Sequence, residues 1–393
     1  MLIMNKLRFL PLLLTGLTFS AFGQTLIGQD STNRIITTAV PFLAITPDAR
    51  AAGMGEAAGA ISPDANAGFW NAAKLAFVED GYGGSASYTP WLRKIIDDMY
   101  IFYLSGYYKI SREQTIAVSM KYFDMGEIQF NNGPTIRDQL GRYNPREYAF
   151  DATYARLLTE NFSIGNAIRY IHSNLTGSGI GGTADSKPGN SLAVDLGVFY
   201  TKPMVKNNSV LSFAGSITNV GAKVSYSDGA NKDFIPINLR LASAYKMELN
   251  PYNSLTFALD FNKLMVPSPY TDPVTGVSNK NQPLMKGMFM SFTDAPGGFE
   301  EEIHEIMTAM GIEYWYNETF AGRLGYFLEA NDKGNRKYFT AGLGIRYNRF
   351  GLDLAYMVPT NKKENALAET LRLTLMVTME RKQQLEDDSV TDQ

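Results

Sequence analysis

The residues able to do acid–base, nucleophilic or metal chemistry are few: the chain of 393 residues has two histidines and no cysteine. His172 lies near the end of an alternating segment and His304 in an acidic run. Neither is flanked by a metal-ligand pattern or by the partners that a catalytic triad needs, so both read as polar residues at loop edges. Without cysteine there is no lipidated N-terminus, no disulfide framework and no thiolate zinc site. The run Gly177, Ser178, Gly179, Ile180, Gly181, Gly182 has the composition of a phosphate-cradling loop, but no βαβ unit surrounds it, and it reads as a surface loop. Lys and Arg (36) nearly balance Asp and Glu (39), a net charge of -3; nucleic-acid binding needs clustered positive charge and is set aside. No enzyme activity, cofactor or metal is expected. What remains is binding through surfaces.

The elements that would carry such surfaces follow from hydropathy. Lys6 and Arg8, an apolar run from Phe9 to Phe19 and the small-residue site Ala21, Phe22, Gly23 have the layout of a secretory signal peptide over 1–23, cleaved before Gln24. The rival reading is a membrane anchor, for which the run is too short. No later apolar stretch is long enough to span a bilayer as a helix, so a membrane location requires a closed barrel, the other structure that satisfies every backbone group in lipid.

From about residue 82 the pattern has period two. Leu192, Val194, Leu196, Val198 and Tyr200 share one face against Ala193, Asp195 and Gly197, with Phe199 breaking the alternation. Leu255, Phe257, Leu259 and Phe261 oppose Thr256, Ala258, Asp260 and Asn262; Phe339, Ala341, Leu343, Ile345 and Tyr347 oppose Thr340, Gly342, Gly344 and Arg346. The second face is small, with single interior charges such as Asp151, Arg169, Asp195, Asp260, Asp353 and Arg372. A soluble sandwich would make it rich in Lys and Glu; a crowded polar bore, where charges pair with one another or with a plug, suits it. The apolar face then meets outer-membrane lipid.

This reading gives an all-β fold, a transmembrane antiparallel β-barrel of about fourteen strands over 82–378, with strands such as 191–201, 311–317 and 369–378. Links alternate: short at 111–113, 158–161, 202–208, 250–253, after Asn317 and at 348–349; long at 89–97, 124–145, 174–190, 221–236, 265–310, 329–336 and 359–368. Outer-membrane barrels have short periplasmic turns and long extracellular loops, so both ends of the chain are expected on the periplasmic side. Residues 24–81, rich in Gly and Ala with Pro41, Pro47 and Pro63, lack a lipid-facing pattern and suit a plug in the bore, or else a periplasmic cap. The link 265–310 is too long for an ordinary loop. A helix is expected there from Pro296 to Met310, with Phe299, Ile303, Ile306, Met307 and Met310 at helical spacing. Glu300, Glu301, Glu302 and Glu305 favour its N-terminal dipole and form a solvated acidic face. Its apolar face needs a cover, either the barrel mouth or another protein reached through Met288, Phe289 and Phe299. Trp91 and Leu92 invite the same two readings, with burial against neighbouring loops preferred. The tail 379–393 is polar, which moves the expected barrel-assembly signal to Leu371–Val377.

Residues 39–77, AVPFLAITPDARAAGMGEAAGAISPDANAGFWNAAKLAF, closely resemble the N-terminal signature of the PorV family of the type IX secretion system. VPSPY at 266–270, DAPGGFEEE at 294–302, IEYWYN at 312–317 and GNRKYFTAGLGIRYN at 334–348 look like further segments of that family in order, so the resemblance covers nearly the whole mature chain. The family is similar in turn to the FadL channels, fourteen-stranded barrels with an N-terminal hatch; Asn71, Ala72 and Ala73 look like the hatch motif with Ala in place of Pro. The resemblance implies a shuttle: it receives cargo bearing a type IX C-terminal signal domain from the translocon barrel and carries it to the attachment and signal-peptidase complex. Pro41, Asp48, Arg50 and Asn71 would belong to the plug, and Trp91, Leu92, Pro267, Tyr270, Met288, Phe289 and Phe299 to partner-binding loops. Two other classes stay open: a FadL-like channel for small hydrophobic molecules, which needs a greasy path through the bore, and a lipid A deacylase, which needs a nucleophile system that His172 and His304 do little to supply.

Overall fold

The computed structural model describes residues 34–93, 98–131, 139–175, 186–227, 232–271, 276, 278–360 and 370–379. The signal-peptide segment, the glycine run 177–182 and the tail from 380 lie outside them. No helix of the described residues is long and apolar enough to cross a membrane. The strands instead close on themselves: β1 (Tyr82–Pro90), β2 (Tyr100–Lys109), β3 (Gln114–Asp124), β6 (Arg146–Thr159), β7 (Phe162–Asn174), β8 (Gly189–Met204) and β9 (Ser209–Gly221) are followed by β10 (Asn238–Asn250), β11 (Asn253–Leu264), β12 (Ile306–Tyr316), β13 (Phe320–Leu328), β14 (Lys337–Tyr347), β15 (Phe350–Pro359) and β16 (Leu371–Met379). Each pairs antiparallel with its neighbour, and β1 pairs with β16 from Tyr82↔Met379 to Tyr88↔Leu373 to close a fourteen-stranded barrel. Two short strands, β4 (Ile128–Asn131) and β5 (Gln139–Tyr143), form a separate hairpin inside the link that follows β3.

The alternation decides the wall. Leu192, Leu196 and Leu343 are more than half exposed on the outer face, whereas Ala193, Asp195 and Asp260 are buried on the inner one. Phe199 follows the inner face; its ring packs edge-on against Phe77 at 5.3 Å, so the break in the apolar pattern marks a contact inside the barrel. Links alternate without exception, short where β14 turns into β15 at Asn348–Arg349 and long where β11 leads to β12. At the short-link end Tyr82, Tyr108, Tyr252, Tyr316, Tyr347 and Phe350 stand exposed, an aromatic girdle of the kind that sits at a membrane interface.

The stretch 265–310 departs from expectation. In place of one helix over Pro296–Met310 there are two short helices, α3 (Leu284–Met290) and α4 (Phe299–His304), and β12 already begins at Ile306. Ile306 and Met310 fit a helical period but equally a two-residue one, and pairing from Lys263↔Ile306 to Leu259↔Met310 places both on the outer face. Ladder hydrogen bonds to β11 outweigh a marginal helix turn. The described part of 24–81 folds into α1 (Ala49–Gly53), α2 (Ala67–Trp70) and short 3-10 helices at Pro41–Ala44 and Ala72–Phe77, with most of 39–78 buried.

Candidate functional site

Residues 39–78 meet the wall backbone to backbone. Gly55 needs its left-handed φ of 64°, and a Cβ on Gly325 of β13 would stand 2.0 Å from the Gly55 nitrogen. Asn71 accepts from the Ala73 amide at 2.9 Å and donates to the Val198 carbonyl at 2.9 Å, and Ser163 donates to the Ala73 carbonyl at 2.7 Å. The Asn71–Ala73 turn is thus stitched to β7 and β8. Asp48 caps α1 through the Ala51 amide at 2.9 Å and accepts from Trp70 Nε1 at 2.7 Å.

Arg50 begins a buried chain of charges. Its guanidinium takes Glu313 of β12 in a two-point bond at 2.9 and 2.8 Å; Glu313 accepts from Arg323 of β13 at 2.7 Å, Arg323 donates to Asp353 of β15 at 2.7 Å, and Arg346 of β14 reaches the other Asp353 oxygen at 2.7 Å. Glu313 and Asp353 are fully buried. The isolated interior charges of the sequence are mostly accounted for in this way: Arg169 joins Asp151 and Asp195, and Asp260 holds Arg240 at 2.9 Å while accepting from the Gly59 amide at 2.7 Å. Arg372 is the exception.

A second network organises the link between β11 and β12. Lys263 of β11 donates to Glu305 at 2.6 Å and Glu302 at 3.1 Å; Lys333, from the link between β13 and β14, reaches Glu305 at 2.9 Å and Glu301 at 2.7 Å; Arg34 also reaches Glu301 at 2.7 Å. Glu302 and Glu301 accept from the Ala295 and Gly297 amides as well. This reverses most of the expected helix: Glu301, Glu302 and Glu305 are buried and paired, Glu300 stays exposed, and Phe299, at 80% exposure, and Ile303 face outward. Three carboxylates buried beside two lysines and an arginine are neutralised, which a solvated face never requires. The sequence signal was Lys263 and Lys333, cations on either side of the acidic run, visible only once β11 and the 329–336 link are neighbours. Burial pushes the Glu301 carboxyl up, but hydrogen bonds from Lys333 and the Gly297 amide prevail and hold it below its ordinary value. Burial, with Glu302 and Glu305 nearby, pushes Asp294 up to about 6.

Of the residues singled out in the loops, Tyr270, Phe289 and Phe299 are exposed, while Pro267 is buried and Met288 lies in an apolar cluster with Val266 and Phe234. Trp91 is half-buried and packs edge-on against Phe123 at 6.3 Å; Leu92, also half-buried, holds a left-handed φ of 49°. His172 stacks on Tyr148 at 4.8 Å and His304 meets Asp332 at 3.0 Å. Among the described residues no cluster of three His, Cys, Asp or Glu could hold a metal. A cavity of about 730 Å3 lies inside the barrel, bounded by Pro41, Phe42 and Trp70 of the N-terminal segment, by wall residues including Phe123 and Arg372, and by Trp91 and Lys333 of the links.

No curated protein matches the chain. Among solved structures it is similar to the ΔS2S3 variant of the monoaromatic hydrocarbon channel TodX, at 12% identity over 84% of this chain and 96% of that one, with a TM-score of 0.50. It is also similar to the Ralstonia pickettii toluene transporter TbuX (11%, 85% and 98%, 0.47) and to a Pseudomonas aeruginosa FadL homologue (11%, 88% and 99%, 0.44). At such identities the likeness to the TodX variant is one of fold. Residues 28–271 match the family model of the type IX secretion system protein PorV. With that match over more than half its length and a closed antiparallel barrel of fourteen strands, the chain belongs to the PorV family and is an outer-membrane β-barrel.

Proposed function

We propose that this protein is the cargo carrier of a type IX secretion system: it takes C-terminal signal domains at the translocon barrel and delivers them to the cell-surface attachment and signal-peptidase complex. The family match supports the system. The observation that carries the docking role is the link between β11 and β12, where buried ion pairs hold α4, and Met288 packed in an apolar cluster holds α3, while Phe289 and Phe299 stand exposed. Large apolar side chains fixed in the open mark protein contacts. Tyr270 belongs to the same surface, and Pro267, Met288, Trp91 and Leu92 support it from beneath or beside. In this reading long links face the cell exterior, the termini and aromatic-girdle end face the periplasm, and residues 24–81, with Pro41, Asp48, Arg50 and Asn71, plug the bore. The role needs no catalytic group.

The test is purification from cells whose attachment complex is disabled. The native chain brings cargo with it, and the double variant Phe289→Asp, Phe299→Asp, still folded as a heat-modifiable barrel, brings at least about tenfold less, the loss expected for two anchor residues. Undiminished cargo would remove this surface from the carrier role. The chamber favours a second reading, uptake of small hydrophobic molecules, for which purification would yield bound fatty acid and no cargo.

A further inference from the structure

The outward face of the wall carries large exposed apolar side chains, but between β12 and β15 it dips. Pairing sets Tyr314 of β12, Gly322 of β13 and Leu343 of β14 side by side in one row, and Leu324, Ala341 and Tyr356 of β15 side by side in the next. Gly322 has nothing within 4 Å of the place a Cβ would take, and Ala341 offers only a methyl. The four side chains flanking them are exposed. The two dips adjoin on the diagonal and make a trough of about 610 Å3 with an almost wholly apolar lining. Leu343 and Ala341 lie four and six residues from Tyr347, the girdle residue that ends β14. With a rise of about 3.4 Å per residue and a tilt near 40°, that is roughly 10–15 Å into an apolar band about 25 Å tall. At the girdle itself Arg349 stands exposed in the turn from β14 to β15, and among the described residues no carboxylate pairs with it.

We infer that this trough is a fixed site for one acyl chain of a membrane glycerophospholipid whose phosphate meets Arg349 at the girdle. Lipid bathes the outer face of such a barrel, and a chain lying in a recess touches protein on three sides where a chain on a convex wall touches it on one, so it gains dispersion contacts. A guanidinium matches a phosphate with two parallel hydrogen bonds, and the depth of the trough below Arg349 is that of the middle of an acyl chain. In each row a single strand is recessed, so the flanking strands stand about 10 Å apart and their side chains narrow the gap further. A hydrocarbon chain fits there, whereas a helix, about 10–12 Å across with its side chains, does not. A strand from another protein has no edge to join, because the barrel is closed, and would leave backbone groups unpaired in lipid. The inference goes beyond the carrier reading and needs only that the barrel lies in a membrane.

The experiment uses the full-length protein, delipidated in a neutral detergent and titrated with dioleoyl phosphatidylglycerol or dioleoylglycerol, with bound lipid counted by native mass spectrometry. The native chain should fill one phosphatidylglycerol site before any further lipid adds. It should hold dioleoylglycerol about three- to fivefold more weakly, the worth of a solvated charge pair. Gly322→Leu with Ala341→Leu puts side chains like those beside them into the trough and should weaken the site by at least about tenfold, the loss expected when two methylenes lose their burial. Both changes point to lipid, so the barrel should keep its heat-modifiable migration; if the double variant fails to fold, Gly322→Leu alone serves, with a smaller loss expected. Arg349→Gln should erase the preference for phosphatidylglycerol and leave dioleoylglycerol binding unchanged. No saturable lipid on the native chain, full affinity with the trough filled, or equal affinity of the native chain for the two lipids would each overturn the site.

Discussion

Two buried ionic networks hold two very different segments against the same barrel. The chain from Arg50 through Glu313, Arg323 and Asp353 to Arg346 ties the N-terminal segment to β12–β15; that segment is itself buried, its backbone seated against wall glycines. The network of Lys263, Lys333 and Arg34 with Glu301, Glu302 and Glu305 ties down α4, yet Phe299 and Ile303 beside those carboxylates stay exposed. Charge pairing of the same kind therefore does two jobs. At the N-terminal segment it fixes residues that are mostly buried, and at the β11–β12 link it steadies apolar side chains that stand exposed. Buried pairs are weak sources of net stability but strict about geometry, since removing one member strands the other.

The largest effect should come from breaking the first network. Glu313→Gln leaves Arg50 and Arg323 with one counter-charge fewer inside the barrel and should cost about 3–5 kcal/mol, the loss typical when a buried pair loses one partner. Urea unfolding in detergent measures it; a loss under about 1 kcal/mol would mean that water or rearranged carboxylates relieve the arginines, and the N-terminal segment is then held by packing alone. Gly325→Ala tests the packing. Its Cβ would fall on the Gly55 nitrogen, and overpacking of this kind costs about 1–3 kcal/mol. Residues 39–78 should become cleavable by added protease while strand content by circular dichroism is kept. If they stay protected, the wall can give at β13, and the notch is no constraint.

The barrel was legible because period two is written into every wall strand, and even the irregular Phe199 proved to follow the inner face. Link parity was legible for the same reason: once strands are marked, what separates them can only be long or short. The acidic run was misread because single-segment reasoning sees Glu300 to Glu305 and a helical apolar period, whereas the side facing inward was set by Lys263 and Lys333, remote in sequence. Helix α4 ends at His304 because Ile306 onward is claimed by the β11 ladder, a tertiary preference no local window carries. Pro267 and Met288, chosen with Phe289 as surface residues, are buried for a similar reason: Met288 and Phe289 are neighbours on a short helix that turns about 100° per residue, and only Phe234 and Val266, remote in sequence, reveal which of the two is inward. Arg372 looked like its fellow interior charges, and that no carboxylate among the described residues pairs with it emerges only from the arrangement of all the others.

The smallest expected effect separates the two segments by pH. Asp294 lies in the β11–β12 link, its carboxyl raised to about 6 by burial and by Glu302 and Glu305, with one oxygen unpaired. A carboxyl raised in the folded state favours folding when protonated, so its contribution is full below the unfolded value of about 3.9 and is lost as pH rises through about 6. Glu301 has the opposite sign: held low by Lys333, it stabilises above its unfolded value of about 4.3 and weakens only below that. Between pH 7.5 and 5.5 the Glu301 contribution is therefore constant, and the Asp294 contribution grows as pH falls. Hydrogen-exchange protection within 279–305, taken relative to the intrinsic exchange rate at each pH, should accordingly rise at pH 5.5 relative to pH 7.5, and Asp294→Asn should flatten the dependence. Residues 39–78, which do not touch this carboxyl, should show no parallel change. A rise in protection that persists in Asp294→Asn would assign the effect to another group, and an equal rise in both segments would mean that the two networks open together as one unit.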